Sequence, residues 1–265
     1  MEKRDLRACL GKEWLYCDGG TGSLLQEKGL KGGELPERWN LERPEDVIEI
    51  AESYFRAGAD IVNTNTFGAN RLHYADSAEL EQIVRAGVRH VKTGLRRSGR
   101  TDGFVALDLG PTGRLLKPMG DLAFEDCVAI FAEVVRWGKE EGADLVLIET
   151  MSDAMEAKAA VLAAKENSDL PVFVTTVFDE KGKMLTGGTV ESVTAMLEGL
   201  RVDALGVNCG LGPLQLYPIV KQLREVCSLP IIVNPNAGLP HAKDGVTYYD
   251  LGAADFAAEM KKIAE

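Results

Sequence analysis

Long apolar runs are missing from this sequence, because no stretch reaches the roughly 18 apolar residues that span a bilayer. Basic residues are also few: 30 Lys and Arg stand against 41 Asp and Glu, for a net charge of −11. Their densest cluster is Arg96–Arg97 with Arg100, whereas a groove that follows phosphates needs many clustered Lys and Arg. We therefore expect no membrane and no nucleic acid among the partners.

Cysteine and histidine are sparse as well. The five cysteines are widely spaced and none belongs to a Cys-x-x-Cys pair, and the three histidines lack the His-x-x-x-His spacing of a zinc-binding helix. An odd number of dispersed thiols argues against a disulfide-stabilised fold and predicts a reducing, cytoplasmic location.

Apolar residues, in contrast, make up 45% of the 265 residues, which is enough to bury a full core. This length suits one large domain, and α/β barrels commonly reach it. We expect residues 1–265 to form a single barrel domain.

Short apolar runs alternate with amphipathic stretches along the whole chain, which predicts repeated βα units around a parallel sheet. The predicted strands are Trp14–Asp18, Asp60–Asn65, Phe104–Leu109, Asp144–Glu149, Val172–Phe178, Ala204–Asn208 and Ile231–Asn234. The predicted helices cover 44–57, 78–97, 124–140, 152–167, 190–199, 213–226 and 253–264, and 235–245 is predicted to be a long loop.

Six of these strands end in polar residues, a pattern that favours a barrel, since the carboxyl ends of barrel strands form the active-site face. A doubly wound sheet would concentrate such residues at one switch point. Only seven βα units are counted, whereas a closed barrel has eight strands. We predict an α/β fold, a (β/α)8 TIM-type barrel whose eighth unit is missing from the C-terminal end of the chain. The two strand edges left open predict a cover, for which a homodimer is one candidate.

Four segments at strand ends carry polar or reactive groups. Asp18 to Ser23 reads DGGTGS, which fails the dinucleotide and P-loop patterns but offers backbone N–H groups beside Asp18 for a ligand carboxylate. A tight βα turn is the alternative. Asn63 to Asn70 reads NTNTFGAN, in which amides such as Asn65 suit the orientation of a polar ligand, or simply a polar turn.

Glu149 ends the apolar run LVLIE, so its carboxylate needs a cation or hydrogen-bond donors, from a ligand ammonium or from a structural Lys or Arg. Cys209 directly follows a strand and precedes a glycine-rich turn. It could be a nucleophile, a metal ligand or a buried structural thiol.

Taken together, these segments resemble the homocysteine S-methyltransferase family, most closely the homocysteine-binding barrel of cobalamin-dependent methionine synthases. The resemblance rests on ordered motifs across nearly the whole chain: DGGTGSLLQEKGL, ELPERWNLERPEDV, ADIVNTNTFGANR, ALDLGPTG, IETMSDAMEAKAAV, FDEKGKMLTG, DALGVNCGLGP and VNPNAGLP.

The resemblance implies methyl transfer to the thiol of L-homocysteine, giving methionine, with a methylated corrinoid such as methylcobalamin, bound on another domain or protein, as the donor. It places Asp18 and Glu149 at the substrate ammonium and the Gly20–Thr21 backbone at its carboxylate. It makes Cys209 one of three zinc thiolates and places Asn236 near the metal.

The chain departs from the family in one respect: it contains no adjacent Cys–Cys pair, so two of the three family thiolates are absent from it. One thiolate is too few for a closed tetrahedral site. Two alternatives to the methyltransferase therefore stay open: a metal-free barrel that binds homocysteine or another amino acid, and a barrel enzyme that uses Asp18 and Glu149 as acid and base.

Overall fold

The computed structural model describes residues 4–238, 240–243, 246–249 and 251–265. The helices are α1 (Leu6–Cys9), α2 (Thr21–Glu27), α3 (Trp39–Glu42), α4 (Pro44–Ala57), α5 (Ser77–Arg97), α6 (Phe124–Glu140), α7 (Ala154–Asn167), α8 (Val190–Gly199), α9 (Pro213–Val226) and α10 (Ala253–Ala264), with a 3-10 turn at Pro36–Arg38. The strands are β1 (Ile61–Asn63), β2 (Phe104–Leu109), β3 (Leu145–Met151), β4 (Val172–Thr176), β5 (Ala204–Asn208), β6 (Ile231–Asn234), β7 (Pro240–Lys243) and β8 (Val246–Tyr249).

Strands β1 to β6 form one parallel sheet in chain order, and a helix follows each strand from β1 to β5 before the next begins. This arrangement confirms the α/β class and the repeated βα units, and it supplies the parallel part of a barrel. Several helices begin at the capping residues their sequence offers. Asp76 accepts hydrogen bonds from the first turn of α5, and Thr189 forms a capping box with Ser192 at α8. Among the helices described, none is both long and apolar enough to cross a membrane.

Side chains alternate between the two faces of the sheet with a period of two. One set packs outward against the helices and includes Val105, Leu107, Val146, Ile148, Val174 and Val207. The other set forms a separate apolar cluster on the inner face: Ile61, Phe104, Ala106, Leu145, Leu147, Phe173 and Ala204. This inner layer is the barrel core, and it decides which strand-end residues point into the barrel.

The short helix α1 covers the amino ends of the strands. Leu6 and Cys9 are buried in the inner cluster. Arg7 fastens the helix from outside, since its Nε donates to Asp203 Oδ1 at 2.9 Å and its Nη2 donates to the Asp169 carbonyl at 3.0 Å. With the amino end closed by α1, a ligand reaches the inner layer from the carboxyl end.

The predicted first strand, Trp14–Asp18, is reduced to a single parallel bridge between Cys17 and Ile61. The prediction of a full strand was wrong for a local reason. The Asp60 carboxylate accepts the Tyr16 N–H at 3.0 Å, and the Tyr16 carbonyl accepts two N–H groups, from Asp60 and Ile61. These side-chain and shared bonds replace a regular ladder, and Trp14 and Tyr16 stay exposed.

The count of seven parallel strands was therefore also wrong, since six lie in the described sheet. The segment predicted as a loop at 235–245 instead contributes to an antiparallel pair, β7 with β8, in the register Pro240 opposite Tyr249. Residues 239, 244 and 245 of that segment lie outside the described residues. The sequence of 235–245 did not indicate a strand, because it is rich in Pro, Gly and polar residues, for which strand propensity is weak.

Gly206 in β5 allows the close approach of β6. A Cβ atom at this position would lie 1.8 Å from the Ile232 carbonyl oxygen, which belongs to rigid backbone. We expect Gly206→Ala to lower the free energy of unfolding by about 1–3 kcal/mol or more, because the strands must separate. Gly199→Ala is the matched control, since nothing lies within 4 Å of its added Cβ. Urea unfolding of both variants measures the difference, and equal stabilities would contradict the packing argument.

Candidate active site

The last inward-facing position of every strand from β1 to β6 is polar. Continuing the alternation of the inner layer to the carboxyl end of each strand gives Asn63, Asp108, Glu149, Thr175, Asn208 and Asn234, which we call the mouth ring. Below the ring, the inward positions are apolar or small. A polar ring above an apolar floor at the carboxyl ends of parallel strands is the expected place for a ligand.

The ring and the adjacent Asp18 contain most of the unpaired buried polar atoms of the described residues. Among all described residues, five buried side-chain atoms have no hydrogen-bond partner. Four of the five belong to the ring or to Asp18, namely Asp18 Oδ1, Asn63 Oδ1, Asp108 Oδ1 and Thr175 Oγ1. An unpaired buried polar atom costs about 1–3 kcal/mol, so such atoms seldom cluster without a partner to bind. Their clustering at one end of the barrel indicates a ligand site.

Asp18 is 6% exposed and is held by backbone on both sides. Its N–H donates to the Ile61 carbonyl at 2.9 Å, and its Oδ2 accepts the Asn63 N–H at 2.8 Å. Burial raises the pKa of Asp18 to about 8; the bond from Asn63 opposes this shift, and the nearby Glu149 carboxylate adds to it. The charged form of a buried carboxyl group with a raised pKa is stabilised most by a positively charged ligand.

Two further carboxyl groups share this environment. Burial raises the pKa of Glu149 to about 7. It also raises the pKa of Asp108 well above its usual range, with the charges of Glu149 and Asp18 adding to the effect. In the part of the chain that the structure describes, no Lys or Arg pairs with Asp18, Asp108 or Glu149. The structural ion pair considered for Glu149 is therefore not found there, and a ligand cation is left as its counter-charge.

Asn208 joins the ends of β3 and β5. Its Oδ1 accepts the Thr150 N–H at 3.0 Å, and its Nδ2 donates to Thr150 Oγ1 at 2.8 Å and lies 3.4 Å from Glu149 Oε2. Thr150 and Cys209 both have left-handed backbone conformations, with φ of 62° and 52°. Non-glycine residues adopt this region at a cost, and it is most frequent at functional sites.

Cys209 directly follows the ring residue Asn208 and is a soft metal ligand. Its Sγ lies 3.5 Å from Asn208 Nδ2, and burial followed by the Glu149 charge raises the pKa of the Cys209 thiol. Within the described residues, no three His, Cys, Asp or Glu side chains are grouped to hold a metal ion. A closed zinc site needs four ligands, so the donor set of the described residues does not complete one.

The remaining predicted site residues lie around the same end of the barrel. Gly20 precedes the first residue of α2, Thr21, so backbone N–H groups of that first turn lack helical partners and can receive a carboxylate. The amide of Asn65 is only partly available to orient a ligand, since its Nδ2 already donates to the Pro36 carbonyl and to Asn40 Oδ1. Asn236 follows β6, and its N–H donates to the Leu211 carbonyl in the loop after Cys209.

Sequence reasoning did not select Asp108, Thr175 or Asn208 as site residues. Each ends an apolar run, so the strand-end pattern contained the signal. What was missing was the inward direction of each side chain, which depends on where the alternation starts in every strand.

The sequence profile described as homocysteine S-methyltransferase matches residues 15–265 of the chain. Two curated relatives are methionine synthases, one from Mycobacterium leprae and one from Mycobacterium tuberculosis. Each is 32% identical over 255 residues, a match that covers 89% of this chain and 21% of the relative. The chain thus spans about a fifth of the length of the curated relatives it matches.

Among solved structures, the chain is similar to the homocysteine methyltransferase MmuM from Escherichia coli in its metallated form. The match has a TM-score of 0.81 and 23% identity, and it covers 98% of this chain and 92% of the other. At this identity the likeness supports the barrel fold of the chain and no finer property.

The raised pKa values predict how stability depends on pH. Because folded Asp18 and Glu149 titrate near 8 and 7, above the usual range of carboxyl groups, the folded chain binds more protons than the unfolded chain between about pH 4 and 8. Stability without ligand should therefore fall as pH rises through this window. Asp18→Asn should flatten the decline and be more stable than the original at pH 8 by about 1–3 kcal/mol or more.

The control is Asp203→Asn, which should act in the opposite direction. Burial opposes ionisation of Asp203, but the Val172 N–H and Arg7 bonds outweigh it and lower the pKa. Its loss should therefore destabilise the protein most at neutral pH and above. Thermal unfolding of the three proteins from pH 4 to 8 decides the matter, and a stability that rises with pH equally in the original and in Asp18→Asn would refute the assignment.

Proposed function

The chain belongs to the homocysteine S-methyltransferase family, and on that basis we propose that it transfers a methyl group to the thiol of L-homocysteine, giving methionine. The observation that carries the proposal is the buried Asp18 carboxyl group near Glu149 at the carboxyl end of the barrel, whose Oδ1 has no hydrogen-bond partner. Two carboxylates without a protein cation suit the ammonium of an amino acid, and the start of α2 suits its carboxylate. An amino acid held by these groups directs its side-chain thiol toward the rest of the mouth ring.

The assigned roles follow the strand ends. Asp18 and Glu149 bind the ammonium, and the backbone at Gly20 and Thr21 binds the carboxylate. Asn65 helps orient the ligand through the part of its amide that the Pro36 and Asn40 contacts leave free. Cys209 and Asn236 flank the thiol end.

Zinc is the proposed activating group, and it would supply a cation that lowers the pKa of the bound substrate thiol. Cys209 is the ligand that this chain offers. No group of three His, Cys, Asp or Glu side chains that could hold a metal ion is found among the described residues, so the proposal requires two further ligands. Burial raises the pKa of the Cys209 thiol, so without a cation the thiol stays protonated, and a bound metal would be needed to hold it as the thiolate.

A methylated corrinoid, such as methylcobalamin, is the proposed methyl donor, carried by a corrinoid-binding domain or protein. Support comes from the motifs shared with cobalamin-dependent methionine synthases and from the curated relatives, which are named methionine synthases and are about five times as long as the match. Residues 1–265 then act as one homocysteine-binding barrel domain in the cytoplasm, and a homodimer at the strand edges is a further proposal.

The second candidate is a metal-free barrel that binds homocysteine or another amino acid without transferring a methyl group. The lone thiolate of Cys209 favours it, because the carboxylate cluster is complete within the described residues and the metal site is not. The two candidates differ in zinc dependence and not in ammonium binding.

Glu149→Gln tests the ammonium site, since it keeps the shape and removes the charge. Loss of one charge-assisted hydrogen bond typically costs about 1.5–3 kcal/mol, so we expect homocysteine affinity to fall roughly ten- to a hundred-fold with stability unchanged or increased. Calorimetric titration measures the affinity. Glu156→Gln is the control: Glu156 is also buried, but it accepts bonds from the N–H and hydroxyl of Thr112, so its loss should reduce stability and spare affinity. The ammonium assignment fails if the Glu149 variant binds homocysteine normally.

Methyl transfer is tested on a version of the chain extended by an eighth βα unit that carries two further cysteines, by measuring the methionine formed from L-homocysteine, methylcobalamin and zinc. We expect methionine formation to depend on zinc. Cys209→Ala should reduce the rate of methionine formation by more than roughly a hundred-fold, which exceeds the effect usual for residues that hydrogen-bond to metal ligands. Cys227→Ala is the control, because this thiol is buried at the end of α9 and contacts Leu229. Homocysteine binding without any zinc-dependent methionine would support the binding barrel instead.

A further inference from the structure

We infer that Asp108 is a third carboxylate that binds the ligand ammonium, which makes the site specific for amino acids with an unsubstituted α-amino group. This inference rests on the proposed amino-acid ligand and extends it to a residue that the family resemblance did not assign. Three observations carry it: the direction of the side chain, its unpaired oxygen and the charge balance of the mouth ring.

The fold aims Asp108 into the barrel and holds it there. Phe104 and Ala106 of the same strand lie in the inner cluster, so the period of two turns Asp108 inward at the end of β2. Its backbone is fixed on both sides, since its N–H donates to Thr64 Oγ1 at 3.1 Å and its carbonyl accepts Thr66 Oγ1 at 2.8 Å. The carboxyl group therefore needs little reorganisation to receive a ligand.

The carboxyl group of Asp108 lacks what a buried carboxylate needs. The residue is 5% exposed, and its Oδ1 has no hydrogen-bond partner. Buried carboxylates in proteins are normally paired or hydrogen-bonded. Asp18 Oδ1 is unpaired in the same way and lies beside the strand that neighbours β2, so the two free acceptors face one region.

A primary ammonium group suits this arrangement in its number of donors and in the sign of its charge. It has three N–H donors, and Asp18, Asp108 and Glu149 offer one carboxyl acceptor each. A ligand without an amino group leaves Asp18 Oδ1 and Asp108 Oδ1 unpaired, and an N-acylated ligand has no positive charge and fewer donors. The charged groups that act on Asp108 are carboxyl groups: Glu149 from β3, Asp18 ahead of β1 and Glu37 from the 3-10 turn.

The test compares L-homocysteine, L-methionine and 4-mercaptobutanoate, which is homocysteine without its amino group, by calorimetry on the protein without added metal. The original protein should prefer homocysteine to 4-mercaptobutanoate, and Asp108→Asn should reduce that preference about ten- to a hundred-fold. Thr194→Val is the matched control: the Thr194 hydroxyl is also buried and unpaired, but it lies on α8, and its loss should leave the preference unchanged.

The number of protons released on binding distinguishes ammonium binding from a purely structural role of Asp108. The first comparison uses the original protein alone. At pH 6 the carboxyl groups of the free site hold protons, and a bound cation displaces them. In buffers of different ionisation enthalpy, the original protein should release protons on binding homocysteine and not on binding 4-mercaptobutanoate. Asp108→Asn should release fewer protons than the original protein.

Each result has a distinct meaning. An unchanged preference in Asp108→Asn, alongside a loss in Glu149→Gln, overturns the role of Asp108 and leaves the proposed function in place. Asp108-dependent binding of L-methionine without binding of homocysteine upholds Asp108 and overturns the proposed substrate. Equal affinity of the original protein for homocysteine and 4-mercaptobutanoate, binding of neither amino acid, or no proton release overturns the inference.

Discussion

Burial of three carboxyl groups without a protein cation is the constraint on which this structure depends. Asp18, Asp108 and Glu149 lie at neighbouring strand ends, and burial raises the pKa of each. Such a cluster destabilises the ligand-free fold, and a chain tolerates it only where something else is gained. The rest of the barrel supplies the rigidity that holds the cluster together: outward-facing aliphatic side chains pack against the helices, and α1 closes the opposite end.

Neutral hydrogen bonds fix the positions of the charged groups in this site. Asn208 joins Glu149 and Thr150 to the loop that begins at Cys209, so hydrogen bonds link the proposed ammonium site to the proposed thiol end of the site. Amide and hydroxyl groups suit this task because they form directional bonds without adding charge to a crowded anionic region. For the same reason, neutral threonine hydroxyls bind the backbone N–H and carbonyl of Asp108.

How much of this could be read from the sequence differs between elements. Helices with strong periodicity were predicted closely, and α4, α6, α8, α9 and α10 have the expected bounds. The segment Trp14–Asp18 was predicted to be a strand because it is a short apolar run, yet the Asp60 carboxylate accepts the Tyr16 N–H in place of part of a regular strand ladder. The hairpin of β7 and β8 was missed because the residues of β7 (PHAK) have weak strand propensity, and because the two strands pair with each other and not with the parallel sheet. Both errors arise where a few specific contacts outweigh the local pattern.

The sequence by itself determined the βα repeat, the polar strand ends and the family motifs, since periodicity and residue type are local properties that survive without coordinates. Only the tertiary structure decided which strand-end side chains face inward, because that depends on the starting point of the alternation and on the register between strands. Asp108 illustrates the difference. Its place at a strand end was visible in ALDLG, but its unpaired oxygen, and hence its demand for a cation, exists only when β1, β2 and β3 lie side by side.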